Sequence, residues 1–155
     1  MATNIFVSHI HEDDPHIEPM KALLRERGFH VRDSSIDSSN LNRATNPDYI
    51  KTEILAPAID WASTVVVLIS PQTRVSDWVR WEIEYAQRHG KRIVGVFTHG
   101  AADCDIPRAL DDYGKAVVGW QADRIVGAIC GDINDWESSG GGRRDERLIV
   151  RIRCQ

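Results

Sequence analysis

Among the acids of this 155-residue chain, Glu82 has the neighbours that suit chemistry. It lies in the run Ser76-Asp77-Trp78-Val79-Arg80-Trp81-Glu82-Ile83-Glu84-Tyr85-Ala86. Read as a helix, the run puts Val79, Ile83 and Ala86 on one apolar face and Trp78, Trp81, Glu82 and Tyr85 on the stripe beside it. Glu84 has Arg80 and Arg88 one turn away on either side, so ordinary ion pairs on a solvated face are expected for it. Glu82 has Trp78 and Ala86 at those positions, and its own helix offers it no cation. A carboxylate set against rings is partly desolvated and its pKa rises, and rings beside an acid form the wall and handle of a sugar or nucleotide pocket; from the helix alone, the alternative is that Glu82 faces solvent at the edge of a tryptophan patch.

Other polar groups give weaker signals. His9 and His11 form a His-x-His pair in a loop, with no third ligand nearby, so substrate contact or solvation is expected rather than a metal site. Glu12, Asp13 and Asp14 read as a solvated charge cluster at a helix start. Cys104, Cys130 and Cys154 are odd in number and lack CxxC spacing, which indicates neither a disulfide framework nor zinc. No GxGxxG fingerprint occurs, so a dinucleotide held as a redox cofactor is not expected.

The elements that must position Glu82 alternate in type. Asn4 to Ser8 is a short buried strand opening into a polar loop. Pro15 can start a helix carrying Ile17, Met20, Leu23 and Leu24, closed by Gly28. Phe29 to Val31 is a second strand, followed by a polar loop from Asp33 to Pro47 of gate-like length. Tyr49 to Trp61 suggests a helix bent or broken at Pro57. Thr64 to Ser70 is apolar on both faces, as for the centre of a parallel sheet. The Glu82 helix follows and ends at Gly90. Arg92 to Phe97 and Ala116 to Trp120 are further strands, and Ile125 to Ile129 belongs to a last helix. Trp61 and Trp120 read as core aromatics.

This order predicts right-handed βαβ crossovers and a flavodoxin-like, three-layer α/β fold with a five-stranded parallel sheet. The site of such a sheet lies at the carboxyl ends of its strands, so Ser8, His9 and Glu82 are expected to meet. One domain over residues 1–130 is expected, followed by a linker and arginine-rich tail over 131–155. Leu148, Val150 and Ile152 alternate there as in an edge strand, unless the tail is frayed.

Composition narrows the function classes. A net charge of −4 with 42% hydrophobic and 27% charged residues describes an ordinary globular chain and argues against nucleic-acid or anionic-membrane binding as the main role. With no signal-like N-terminus and no long apolar run, a cytoplasmic protein is expected.

Four stretches together carry a family resemblance: Asn4-Ile5-Phe6-Val7-Ser8-His9, Val31-Arg32-Asp33-Ser34-Ser35-Ile36, Val66-Val67-Leu68-Ile69-Ser70-Pro71, and the Ser76 to Ala86 helix. In this order they resemble TIR-like domains, and among them the bacterial TIR proteins of Thoeris antiphage defence, over about residues 4–130. The resemblance implies an NAD-consuming enzyme that cleaves the bond between nicotinamide and ribose, with Glu82 at the essential glutamate. NAD+ would be substrate, with no cofactor and no metal. Candidate substrate-binding positions are Phe6, Ser8, His9, Asp33, Ser35, Trp78 and Trp81. The product would be an ADP-ribose-derived signal, cyclic or conjugated, for a separate effector. A phage trigger and a homo-oligomer are further partners the resemblance suggests. A competing reading is a non-catalytic TIR module for assembly. A phosphorylated receiver domain, which shares this sheet, fits poorly because the central strand ends in Ile69-Ser70-Pro71 and not in Asp.

Overall fold

The computed structural model describes residues 3–33, 55–98 and 106–137. Five parallel strands, β1 (Asn4–Ser8), β2 (His30–Asp33), β3 (Thr64–Ile69), β4 (Arg92–Phe97) and β5 (Ala116–Val118), form one sheet in the order β2-β1-β3-β4-β5. β3 lies at the centre and all six of its residues are buried, because helices cover both faces. Val65, Val67 and Ile69 face one layer and Val66 and Leu68 the other, the alternation expected of a strand.

The first layer holds α2 (Ala56–Trp61), α3 (Asp77–Arg88) and α4 (Arg108–Tyr113), which bury Ile59, Val79, Ile83, Ala86 and Leu110 against Phe6 and Phe97. The opposite layer holds α1 (Ile17–Glu26) and α5 (Ala122–Cys130), whose Ile17, Met20, Leu24, Ile125 and Ala128 pack on Ile5, Val7 and Val94. Ser76 caps α3 by accepting a hydrogen bond from the Val79 N–H at 3.2 Å, and Gly90, at φ +71°, turns the chain into β4.

Several local expectations are corrected. Pro15 lies inside a 3-10 segment, His11–His16, and α1 begins after it. Of the helix expected over Tyr49 to Trp61, residues 49–54 lie outside the described residues; Pro57 sits in the first turn of α2, where its missing N–H is tolerated. α4 was not foreseen: Ala109 and Leu110 are its only buried residues, too few to set up a helical period. Trp61 and Trp120 are half-buried, not core. Arg80 pairs with Asp77 at 3.3 Å rather than with Glu84. Downstream of α5, Trp136 bridges Val117, and the Glu137 N–H donates to the Val117 carbonyl at 2.7 Å, so the chain covers the outer edge of β5. The long polar loop, apart from Asp33, and the Leu148 to Ile152 pattern lie outside the described residues.

Candidate active site

The carboxyl ends of β1 and β3 and the first turns of α3 enclose a cavity of about 680 Å³. Glu82 lies in its wall and is 1% exposed. The helical spacing that seats Val79, Ile83 and Ala86 on the sheet also turns Glu82 inward, toward the end of β1. There the Ser8 hydroxyl donates to Glu82 Oε1 at 2.6 Å. Glu82 Oε2 makes no hydrogen bond with the described residues. The expected meeting of Ser8 and Glu82 is therefore present, with His9 lining the same cavity, and the partner that the helix could not supply comes from β1.

Burial is the largest influence on Glu82 and pushes its pKa up to about 8. The Ser8 hydrogen bond pulls it back, and the negative charge of Asp33 pushes it up further. Asp33, at the end of β2, is itself ion-paired with Lys21 of α1. At neutral pH the carboxyl is thus mostly protonated, and positive charge brought close to it would favour its ionised form.

Trp78 lines the cavity and is 37% exposed, with the more exposed Val75 beside it. Leu55 and Ile10 add apolar wall. Trp81 does not line the cavity: it stacks on Tyr85 at 5.2 Å, and Tyr85 in turn stacks on His89 at 4.0 Å. The ring stripe read from the helix thus splits, one tryptophan facing the cavity and the other facing the next turn. Phe6 is wholly buried in the core, so it can hold β1 in place but does not line the cavity. Ser35 lies outside the described residues.

His9 and His11 both lie at the cavity and converge on Asp14. His9 Nε2 is 2.9 Å from one carboxylate oxygen and His11 Nδ1 is 2.7 Å from the other. No group of three metal-ligating side chains suited to an ion occurs among the described residues. Asp13 departs from the expected solvated cluster. It is buried, and it accepts a hydrogen bond from Ser70 at the end of β3 at 2.9 Å. Ser70 N–H donates to Thr73 Oγ1 at 2.9 Å. The two loops that wall the cavity are thereby joined. Sequence reading missed this tie, although a Ser and a Thr three apart after a wholly apolar strand was a usable signal.

The sheet order and the buried glutamate of α3 under its carboxyl edge fit a TIR-like α/β domain. The family profile described as "Thoeris protein ThsB, TIR-like domain" matches residues 6–103, and the chain belongs to that family. Among solved structures, the CMP N-glycosidase BcmB of Clostridium botulinum is 20% identical at a TM-score of 0.42, over 61% of this chain and 71% of its own. The TIR domains of the activated Roq1 resistosome, which directly recognizes the pathogen effector XopQ, are 22% identical at a TM-score of 0.45, over 62% and 57%. A putative pilus assembly-related protein of Burkholderia pseudomallei is 14% identical at a TM-score of 0.48, over 83% and 90%. No curated protein matches the chain. No helix among the described residues is long and apolar enough to cross a membrane.

Proposed function

We propose that this protein cleaves the bond between nicotinamide and ribose in NAD+ and passes the ADP-ribose part into a small-molecule signal read by a separate effector. The observation that carries the reading is Glu82: a buried carboxyl with one oxygen uncommitted among the described residues, in the wall of a cavity beside an accessible tryptophan. Nicotinamide leaves as a neutral ring, so no acid is needed at the leaving group. Positive charge instead builds on the ribose, and an anion held close stabilises it. Glu82 suits that task because burial disfavours its ionised form when no positive charge is near. An oxocarbenium-like ribose relieves that cost, so the interaction is strongest in the transition state. Ser8 holds Oε1 and leaves Oε2 for the ribose.

Trp78 is the ring available for stacking on a base or on nicotinamide. Family membership supports this chemistry and, with it, Thoeris partners: an effector that reads the signal and a phage-borne trigger. The test is nicotinamide release from NAD+ by wild type, Glu82→Gln and Glu84→Gln, with products separated by mass. Wild type and Glu84→Gln are expected to release nicotinamide, with Glu82→Gln slower by about 100-fold or more, in keeping with loss of a preorganised charge. Product mass distinguishes hydrolysis, cyclisation and conjugation. Absence of release by wild type, both purified and in extracts of phage-infected cells, would leave the assembly-module reading.

A further inference from the structure

Where α1 turns into β2, the chain places Arg25, Arg27, His30 and Arg32 close together. Arg27 reaches across to Asp123 of α5 at 3.3 Å. The side chains of Arg25, His30 and Arg32 make no ion pair or hydrogen bond with the described residues. They converge instead on a second cavity of about 660 Å³, which is also lined by Asn4, Phe29 and Trp61. Among the described residues no Asp or Glu lines it. Two guanidinium groups gathered with no carboxylate among the described residues repel one another, and the chain as a whole carries a net charge of −4, so acids were to hand.

The cavity is also held in shape. β2 pairs with β1 in the register Asn4↔His30 and Phe6↔Arg32, so His30 and Arg32 stand on one face of the sheet edge. The Asn4 amide donates to the Trp61 carbonyl at 3.1 Å, fixing the end of α2 against β1. Trp61 in turn carries the Arg32 guanidinium 4.3 Å from its ring centre. A guanidinium stacked on a ring uses its face and keeps its in-plane N–H donors for an anion.

We propose that this cavity is a second ligand site and that it binds a phosphate-bearing ligand of nucleotide size. Two guanidinium forks and an imidazole match the charge and the several acceptor oxygens of a phosphoryl group better than a single carboxylate. The groove is open to solvent, and its volume of about 660 Å³ far exceeds what inorganic phosphate fills. This site is separate from the Glu82 cavity. Asn4 begins β1 and Ser8 ends it, about 13 Å apart at the rise of a strand, with the two cavities at opposite ends. A ligand here leaves the Glu82 cavity open, so the assignment stands independently of the proposed reaction.

The experiment is calorimetric titration of the full chain at low salt with ADP, pyrophosphate and adenosine. It compares wild type with Glu84→Gln, Arg25→Gln and the double variant Arg25→Gln/Arg32→Gln. ADP is expected to bind wild type and Glu84→Gln alike, with pyrophosphate competing and adenosine not binding at this site. The double variant should weaken ADP about tenfold or more. Arg25→Gln, which leaves the Arg32 stack on Trp61 untouched, should weaken it by a smaller factor, so that a misfolded double variant cannot imitate the result. Failure of ADP to bind, binding unchanged in both arginine variants, or adenosine binding as tightly as ADP would overturn the proposal.

Discussion

Glu82 is held near pKa 8 by opposing influences, and each belongs to a residue that can be changed. If the ionised form stabilises the ribose, kcat/KM for nicotinamide release should rise with pH and level off above about 8. Ser8→Ala removes the hydrogen bond that lowers the pKa, so the inflection should move up. Asp33→Asn removes a nearby negative charge, so it should move down. Opposite movements in the two pH–rate profiles would tie both residues to Glu82. Stability supplies a readout that does not depend on catalysis. Between the ordinary value of 4.5 and the folded value of about 8, the folded chain keeps a proton that the unfolded chain has released. Stability contributed at Glu82 therefore falls as pH rises through that window. Glu82→Gln removes the effect, and its stability relative to wild type should be greater at pH 8 than at pH 5 by about 2–4 kcal/mol. Denaturant melts of both proteins at the two pH values check this.

Beside the apolar packing of β1, β3 and α3, the loops around the cavity are joined by the bond between Asp13, in the segment after β1, and Ser70, at the end of β3. Burial raises the pKa of Asp13 and the Ser70 hydrogen bond lowers it, and Ser70 is itself held by its turn to Thr73. Asp13→Asn keeps an acceptor of the same shape and should be nearly neutral. Asp13→Ala leaves the buried Ser70 hydroxyl without that acceptor and should cost about 1–3 kcal/mol. It should also raise KM more than it lowers kcat, because the two walls are no longer registered. Equal kinetics in the two variants would show that the tie does not set the cavity. Much of this scale was legible in the chain: β3 from its apolar run, α3 from its period, and their junction from strand order. The tie was hidden because a charge run such as Glu12-Asp13-Asp14 does not show which acid turns inward. The same limit applies to Trp78 and Trp81. The period put both on one stripe, and only packing against Tyr85 separates them. α4 was illegible because so little of it is buried.

For the whole molecule, the decisive feature is that the sheet has two edges of different kinds. At β2 the edge is short and flanked by Arg25, His30 and Arg32, which make no ion pair with the described residues, a composition that discourages sheet-to-sheet pairing while leaving a place for an anion. At β5 the edge is covered by the chain's own return. The Val117 N–H donates to the Asp135 carbonyl at 3.0 Å and the Glu137 N–H to Val117. The buried Glu137 carboxylate then accepts from the Gly119 N–H at 3.1 Å and from Arg124. One carboxylate thus fastens the return to both the end of β5 and the first turn of α5. Glu137→Ala removes both attachments and should destabilise the chain by about 1.5–3 kcal/mol, the range for hydrogen bonds to charged groups. Because the loss frees an edge as well as a contact, aggregation on heating should rise with protein concentration. Glu137→Gln can keep the Gly119 bond but not the ion pair with Arg124, so it should fall between the two. Thermal melts with light scattering at two concentrations separate these outcomes. A Glu137→Ala variant that melts like wild type without aggregating would mean that Trp136 and the backbone bonds alone hold the edge.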